Sequence, residues 1–147
     1  MLLLKNKKAT HEYSIEKTYN AGVILSGPEV KSLRNKSGSL KGSFIKTIGE
    51  ELFLINAQIS PYKFSDNSEY DPKRTRKLLM RKKEIVTLAS ALDQKGRALV
   101  PLSFDLIGNK IKLKFGLGKG LKLHDKRAKL KKRTIDREVQ RVMKDNR

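Results

Sequence analysis

In KIKLKF, residues 110–115, Ile111, Leu113 and Phe115 alternate without exception with Lys110, Lys112 and Lys114. A period of two places successive side chains on opposite faces of an extended chain. The segment therefore predicts a strand with an apolar side and a row of ammonium groups on the other. Such a strand is not stable alone, since its apolar side needs a core and its backbone needs partners. The chain must be built around sheet.

Candidate partners lie upstream. THEYSI alternates over residues 10–15, with His11, Tyr13 and Ile15 on one face and Thr10, Glu12 and Ser14 on the other, which predicts a short strand. The glycine-bounded apolar run from Gly22 to Gly27 predicts a second, after which Pro28 and Glu29 open a helix of about two turns through Arg34. Residues 43–48 and 52–59 read as a hairpin joined by a three-residue loop, Gly49-Glu50-Glu51. Arg97–Phe104 again has strand character. Ile85, Leu88 and Leu92 share one helical face, predicting a helix from about Arg81 to Gln94 with Gly96 as its stop. Between Pro61 and that helix the chain has no clear periodicity, and connections of this length are usually functional or mobile. Six short strands with two inserted helices fit a mainly β fold, a small closed antiparallel barrel, because closure removes exposed sheet edges. There is no internal repeat.

Charge narrows the partners. Among 147 residues, 34 are Lys or Arg and 15 are Asp or Glu, a formal charge of +19. A surplus of that size calls for a polyanion, with nucleic acid first and a membrane surface second. The only apolar start is Leu2-Leu3-Leu4, and no stretch approaches the roughly 20 residues needed to span a bilayer. No signal peptide is expected. The absence of cysteine excludes disulfides, thiolate metal sites and a Cys nucleophile, and two histidines, His11 and His124, argue against zinc. No cofactor is expected.

From Leu121 onward the composition changes. Residues 121–147 carry 11 basic and 4 acidic residues and no Phe, Tyr, Trp, Gly or Pro. They cannot build a core, yet Ile135, Val139, Val142 and Met143 share a face at helical spacing. The expectation is one domain over residues 1–120 and a basic tail over 121–147, disordered when free and helical when bound.

Three features could carry chemistry. Gly116, Gly118 and Gly120 match neither a P-loop nor a dinucleotide fingerprint. They read as a flexible hinge where the barrel ends, or as a close backbone approach to phosphate with Lys119 and Lys122 adding charge. In DPKRTRKLL, residues 71–79, the Asp71-Pro72 turn would display Arg74, Arg76 and Lys77 together at the start of the next helix. Such a run is either a solvated face or, given Tyr62, Phe64 and Tyr70 nearby, an RNA-stacking surface. His11 reads as a hydrogen-bonded packing residue. No Ser/His/Asp or paired-carboxylate arrangement can be assembled, which disfavours an enzyme.

Taken in order, NKKATHEY, AGVILSGPEVKSLR, DPKRTRKLL, KGRALVPL and GKGLKLHDKR…RVMK resemble the SsrA-binding protein (small protein B, SmpB) family over essentially residues 5–147. The resemblance implies an OB-like barrel with added helices that binds the tRNA-like part of transfer-messenger RNA (tmRNA), in a bacterial cytoplasmic protein that rescues stalled ribosomes by trans-translation. It implies no catalysis. On its motifs, Asn6, Tyr13, Glu29, Lys31, Arg34, Arg74, Arg76, Lys77, Leu79, Lys119, Gly120 and Lys122 fall on the RNA face. His124, Asp125, Lys126 and Arg127 match the leading motif of a tail that enters the empty message channel and decoding centre, and Val142, Met143 and Lys144 its distal one. Small-subunit rRNA is a partner by the same resemblance, elongation factor Tu and alanyl-tRNA synthetase are functionally linked, and the chain is expected to be a monomer.

Three positions depart from the family pattern. Asn20 stands where Glu is usual before Ala21-Gly22, Gly42 where Asp commonly precedes Ser, and Leu121 where a lysine is usual. The resemblance makes the glycine stretch a hinge at an RNA surface. A ribosomal or other OB-type protein that binds rRNA statically would share the charge and the barrel, but would not require HDKR joined to a potentially helical tail.

Overall fold

The computed structural model describes residues 1–94 and 96–120. Along them run β1 (Leu2–Lys5), α1 (Ala9–Glu12), β2 (Tyr13–Val23), α2 (Gly27–Arg34), β3 (Gly38–Ser39), β4 (Phe44–Ile48), β5 (Glu51–Ile55), β6 (Gln58–Ile59), β7 (Arg76–Leu79), α3 (Lys82–Leu92), β8 (Arg97–Ile107) and β9 (Lys110–Gly120). The fold is mainly β, as the alternation in 110–115 predicts. Every strand pairing among the described residues is antiparallel.

The pairings return on themselves. The order β8-β4-β5-β7-β2-β9 is completed by β9 pairing back onto β8, with β1 on the other side of β8 and β3-β6 as a separate pair. The contact between β4 and β8 is the thin point of this ring, resting on Ile45 opposite Leu99. Inside sit Leu52, Leu54, Leu78, Leu99, Phe104, Leu113 and Phe115, all buried. Burying one such side chain contributes about 1.5–3 kcal/mol. In β9, Ile111, Leu113 and Phe115 point inward and Lys110 and Lys114 outward. Tyr19 stacks on Phe115 with centroids 5.5 Å apart.

The helices follow the local signals. Ser26 and Glu29 form a reciprocal capping box at the start of α2, with Pro28 in its first turn. In α3, Ile85 and Leu88 are buried and Leu92 packs against the core, the face that the spacing predicts.

Several boundaries differ from the sequence expectation. Residues 9–12 form a helical turn instead of the first half of a strand, because the Lys8 carbonyl accepts the amides of both His11 and Glu12, each at 3.1 Å. The run from Gly22 to Gly27 is not a separate strand: Gly22 and Val23 end β2 on β7, and the Ile24 amide donates to the Lys77 carbonyl at 3.0 Å. The β4-β5 hairpin has a two-residue loop, since Glu51 already pairs with Ile48. Gly49 takes the positive φ, 63°, that this loop requires. The strands β1, β3 and β7 have no counterpart in the predicted set.

The largest correction concerns the glycines. Gly116, Gly118 and Gly120 are not a hinge: β9 continues through them, paired with β2 on one edge up to Tyr13–Gly120 and with β8 on the other up to Arg97–Lys119. Their spacing of two places them on one strand face, the face that carries lysines further back. A Cβ on Gly116 would lie 2.7 Å from Cγ2 of Ile15, and one on Gly118 would lie 3.0 Å from both Cδ1 of Ile15 and the Ser14 carbonyl. The glycines leave room for Ile15 to lie across the strand.

Candidate nucleic-acid interface

The predicted surface residues fall into three groups. At one end of β2, Tyr13 stands opposite Gly120 and Ser14 opposite Lys119. Asn6 donates from Nδ2 to the Pro101 carbonyl at 2.9 Å, and lines a groove with Lys8, Tyr13, Lys41, Phe44 and Val100. Asn6, Tyr13, Lys119 and Gly120 are thus brought to one end of the ring. Lys119 and Gly120 are exposed.

At the other end of β2, about nine residues and roughly 30 Å away along the strand, Gly22 pairs with Leu79 of β7. Leu79 is 52 % exposed, and an added Cβ on Gly22 would meet its Cβ at 3.3 Å. Lys77 is engaged by Glu51 at 3.1 Å. Both members of that pair are largely solvated, so it contributes little to stability.

The third group is internal. Arg76 is fully buried, as are Glu29 and its carboxylate. Arg76 donates to Glu29 Oε2 from Nε at 2.8 Å and from Nη2 at 2.6 Å, and to the carbonyls of Ala57 at 2.6 Å, Arg74 at 3.0 Å and Pro72 at 3.0 Å. Arg74 reaches the same carboxylate from Nε and Nη2, and also the Ile24 carbonyl at 3.3 Å. The Tyr70 hydroxyl donates to the Ile59 carbonyl at 2.8 Å and lies 3.1 Å from both Glu29 Oε2 and Arg76 Nη2. The expectation that Arg74, Arg76 and Lys77 are displayed together is therefore corrected. Arg76 lies on a strand, inside, with its donors spent on protein oxygens, because one buried carboxylate outcompetes solvent for a rigid guanidinium fork.

Electrostatics at this cluster follows from its contacts. Burial alone would push the Glu29 carboxyl up, but donation from Arg74, the Ser26 amide and Arg76 outweighs it and holds the group at about 2. Burial and the Glu29 charge push the Tyr70 phenol up, which keeps it a donor. The cluster ties α2, the 60–75 segment and β7 to one point. Lys31 and Arg34 extend from the same helix into solvent.

Sequence reasoning read Tyr62 and Phe64 as aromatics that could stack bases beside the arginine run, without assigning either to the RNA face by motif. Lys31 Nζ lies 5.4 Å from the centroid of Tyr62, and Lys63 Nζ 4.8 Å from that of Phe64. Asn20, one of the departures, is exposed opposite Lys114. Gly42, another, has φ 75°, a conformation that glycine adopts freely. Leu121, Lys122, His124, Asp125, Lys126, Arg127, Val142, Met143 and Lys144, with the expected free and bound states of the tail, lie outside the described residues. Among the described residues no group of acidic, His or Cys side chains could hold a metal, and no helix is long and apolar enough to cross a membrane.

Comparison with known proteins bears on the whole length. The family model for SmpB protein matches residues 3–145. The SsrA-binding protein of Bacillus subtilis (strain 168) is 46 % identical over 145 residues, covering 99 % of this chain and 93 % of its own. That of Syntrophotalea carbinolica is 42 % identical over 144 residues, covering 98 % and 96 %. A solved chain from work on tmRNA-SmpB, described as a journey to the center of the bacterial ribosome, superposes with a TM-score of 0.71 at 39 % identity, covering 86 % of this chain and 93 % of that one. With the motifs in order and the match nearly end to end, the chain belongs to the SmpB protein family.

Proposed function

We propose that this protein binds the tRNA-like domain of tmRNA and delivers it to stalled ribosomes for trans-translation, acting by binding and not by catalysis. The observation that carries the reading is the near-full-length likeness to SsrA-binding proteins together with the superposition on a tmRNA-SmpB chain. The strand ring is read as a closed, OB-like barrel. Asn6, Tyr13, Lys31, Arg34, Arg74, Lys77, Leu79, Lys119, Gly120 and Lys122 supply its RNA face, whereas Glu29 and Arg76 act from inside by positioning the segment that carries Arg74.

Residues 121–147 form the second working unit in this reading. His124, Asp125, Lys126 and Arg127, with Val142, Met143 and Lys144, engage the message channel and decoding centre of the small subunit. Eleven basic residues in 27 suit rRNA through counterion release. The protein works as a cytoplasmic monomer, linked functionally to elongation factor Tu and alanyl-tRNA synthetase.

The test is a titration of the full chain, and of a chain ending at Gly120, against the tRNA-like domain with an elongator tRNA as competitor. Tight binding by both forms that the tRNA does not displace, with tagging on stalled ribosomes lost only in the shortened form, is the expected result. Equal affinity for both RNAs would reduce the function to that of a basic, static RNA binder, and equal loss of binding and tagging on truncation would remove the two-unit division.

A further inference from the structure

Phe64 is 74 % exposed, the most exposed large apolar side chain among the described residues. A single exposed apolar residue needs no explanation, but the segment around this one is pinned. The Ser65 amide donates to the Tyr62 carbonyl at 3.0 Å, and Asn67 Nδ2 donates to the Tyr62 and Ser65 carbonyls at 2.8 and 3.0 Å. The Tyr70 amide donates to the Asn67 carbonyl at 3.2 Å, and Tyr70 itself is anchored beside Glu29 and Arg76. The loop is thus fixed at both flanks while its aromatic tip is held out to water.

The tip is also chemically sorted. Tyr62 and Phe64 stand edge to face, centroids 5.4 Å apart and planes at 70°, with Lys31 and Lys63 over their rings. The acidic residues Asp66 and Glu69 lie on a different flank, lining a depression with Ser26 and Pro28. Two aromatic rings, each with a cation over one face, on a chain of charge +19, match the chemistry of an unpaired nucleobase better than that of a protein surface. Every base has a π-face for the ring, and its phosphates lie within reach of the lysines.

We propose that Tyr62 and Phe64, each with a lysine, Lys31 or Lys63, over one ring face, use the ring surface left open as a preorganised stacking platform for an unpaired RNA base. This rests on the RNA-binding reading above. Because the contact runs through ring faces, the platform adds affinity without adding a phosphate contact at Phe64.

The chain has no tryptophan, so Phe64→Trp in the full-length protein places one reporter on the platform. Its fluorescence is expected to be quenched by the octamers rA8 and rU8 and unaffected by inorganic polyphosphate at equal charge. Phe64→Ala should weaken octamer binding roughly tenfold with the salt slope unchanged, and Phe64→Leu should not restore it. Wild-type affinity in Phe64→Leu, equal quenching by polyphosphate, or no loss in Phe64→Ala would each overturn the proposal. Binding of the tRNA-like domain by the same samples separates the outcomes: if it persists while the octamer effects are absent, only the platform fails. Since Phe64 touches little else, an unchanged Tm is expected for all three variants.

Discussion

Two nitrogens of Arg76, Nε and Nη2, converge on one oxygen of Glu29 at 2.8 and 2.6 Å, and both side chains are shut off from water. A basic residue in a basic, RNA-type motif is here a structural post. What it holds in place is backbone, at Ala57, Pro72 and Arg74.

Removing one member of a buried ion pair strands the other charge. Arg76→Ala should therefore destabilise the fold by about 3–5 kcal/mol. Arg76→Lys should recover little, because an ammonium cannot reproduce the fork or reach the Ala57, Arg74 and Pro72 carbonyls together. Urea unfolding measures this. In RNA titrations any loss of affinity should come without a change in salt slope, as no phosphate contact is removed.

Glu29 makes acid stability predictable. Its carboxyl is held at about 2 in the folded chain against an ordinary value of 4.5. A depressed carboxyl stabilises fully above the unfolded value, and the contribution fades as pH falls from about 4.5 toward 2. Its size is of order 3 kcal/mol. Unfolding free energies measured from pH 6 down to pH 2.5 should fall with a component that Glu29→Gln lacks, Glu29→Gln being already less stable at pH 6.

Gly116→Ala should cost about 1–3 kcal/mol, because the new methyl collides with Ile15 in a strand held on both edges. In an Ile15→Ala background the same substitution should cost at least about 1 kcal/mol less. Equal cost in both backgrounds would locate the strain elsewhere.

The exposed lysines should behave unlike Arg76. Lys114→Ala removes an ammonium from the outer face of β9, and Lys119→Ala one from the exposed end of the same strand. Where such a lysine meets a phosphate, log K against log salt should flatten by about 0.9 per residue. A salt titration of each variant with the tRNA-like domain reads this, and an unchanged slope takes that lysine out of the interface.

Local signals read well in this chain because they are strictly local. The alternation in 110–115, the Ser26–Glu29 box with Pro28, and the Ile85–Leu88–Leu92 face each fix an element by its own spacing. What sequence alone did not reveal depends on distant partners. Arg76–Leu79 becomes a strand because β5 and β2 flank it, whereas the turn at residues 9–12 closes locally on the Lys8 carbonyl against an alternation that reads as strand. The site divides in the same way. Asn6, Tyr13, Lys119 and Gly120 meet at one end of the ring, whereas Glu29 and Arg76, assigned to the surface by motif, are drawn inside because an acid 47 residues upstream completes the guanidinium. Gly116 and Gly118 looked free because Ile15, their reason, lies a hundred residues away in the chain.

The double pairing of β9 also sets a ruler. With Gly120 opposite Tyr13, and its amide donating to the Gly96 carbonyl at 3.2 Å, the chain departs from a fixed origin on the strand ring. The reach of any segment that follows Gly120 counts from that origin. Each residue inserted after Gly120 would lengthen the reach by at most about 3.5 Å, so the spacing between whatever the ring grips and whatever lies beyond it is written in residue number.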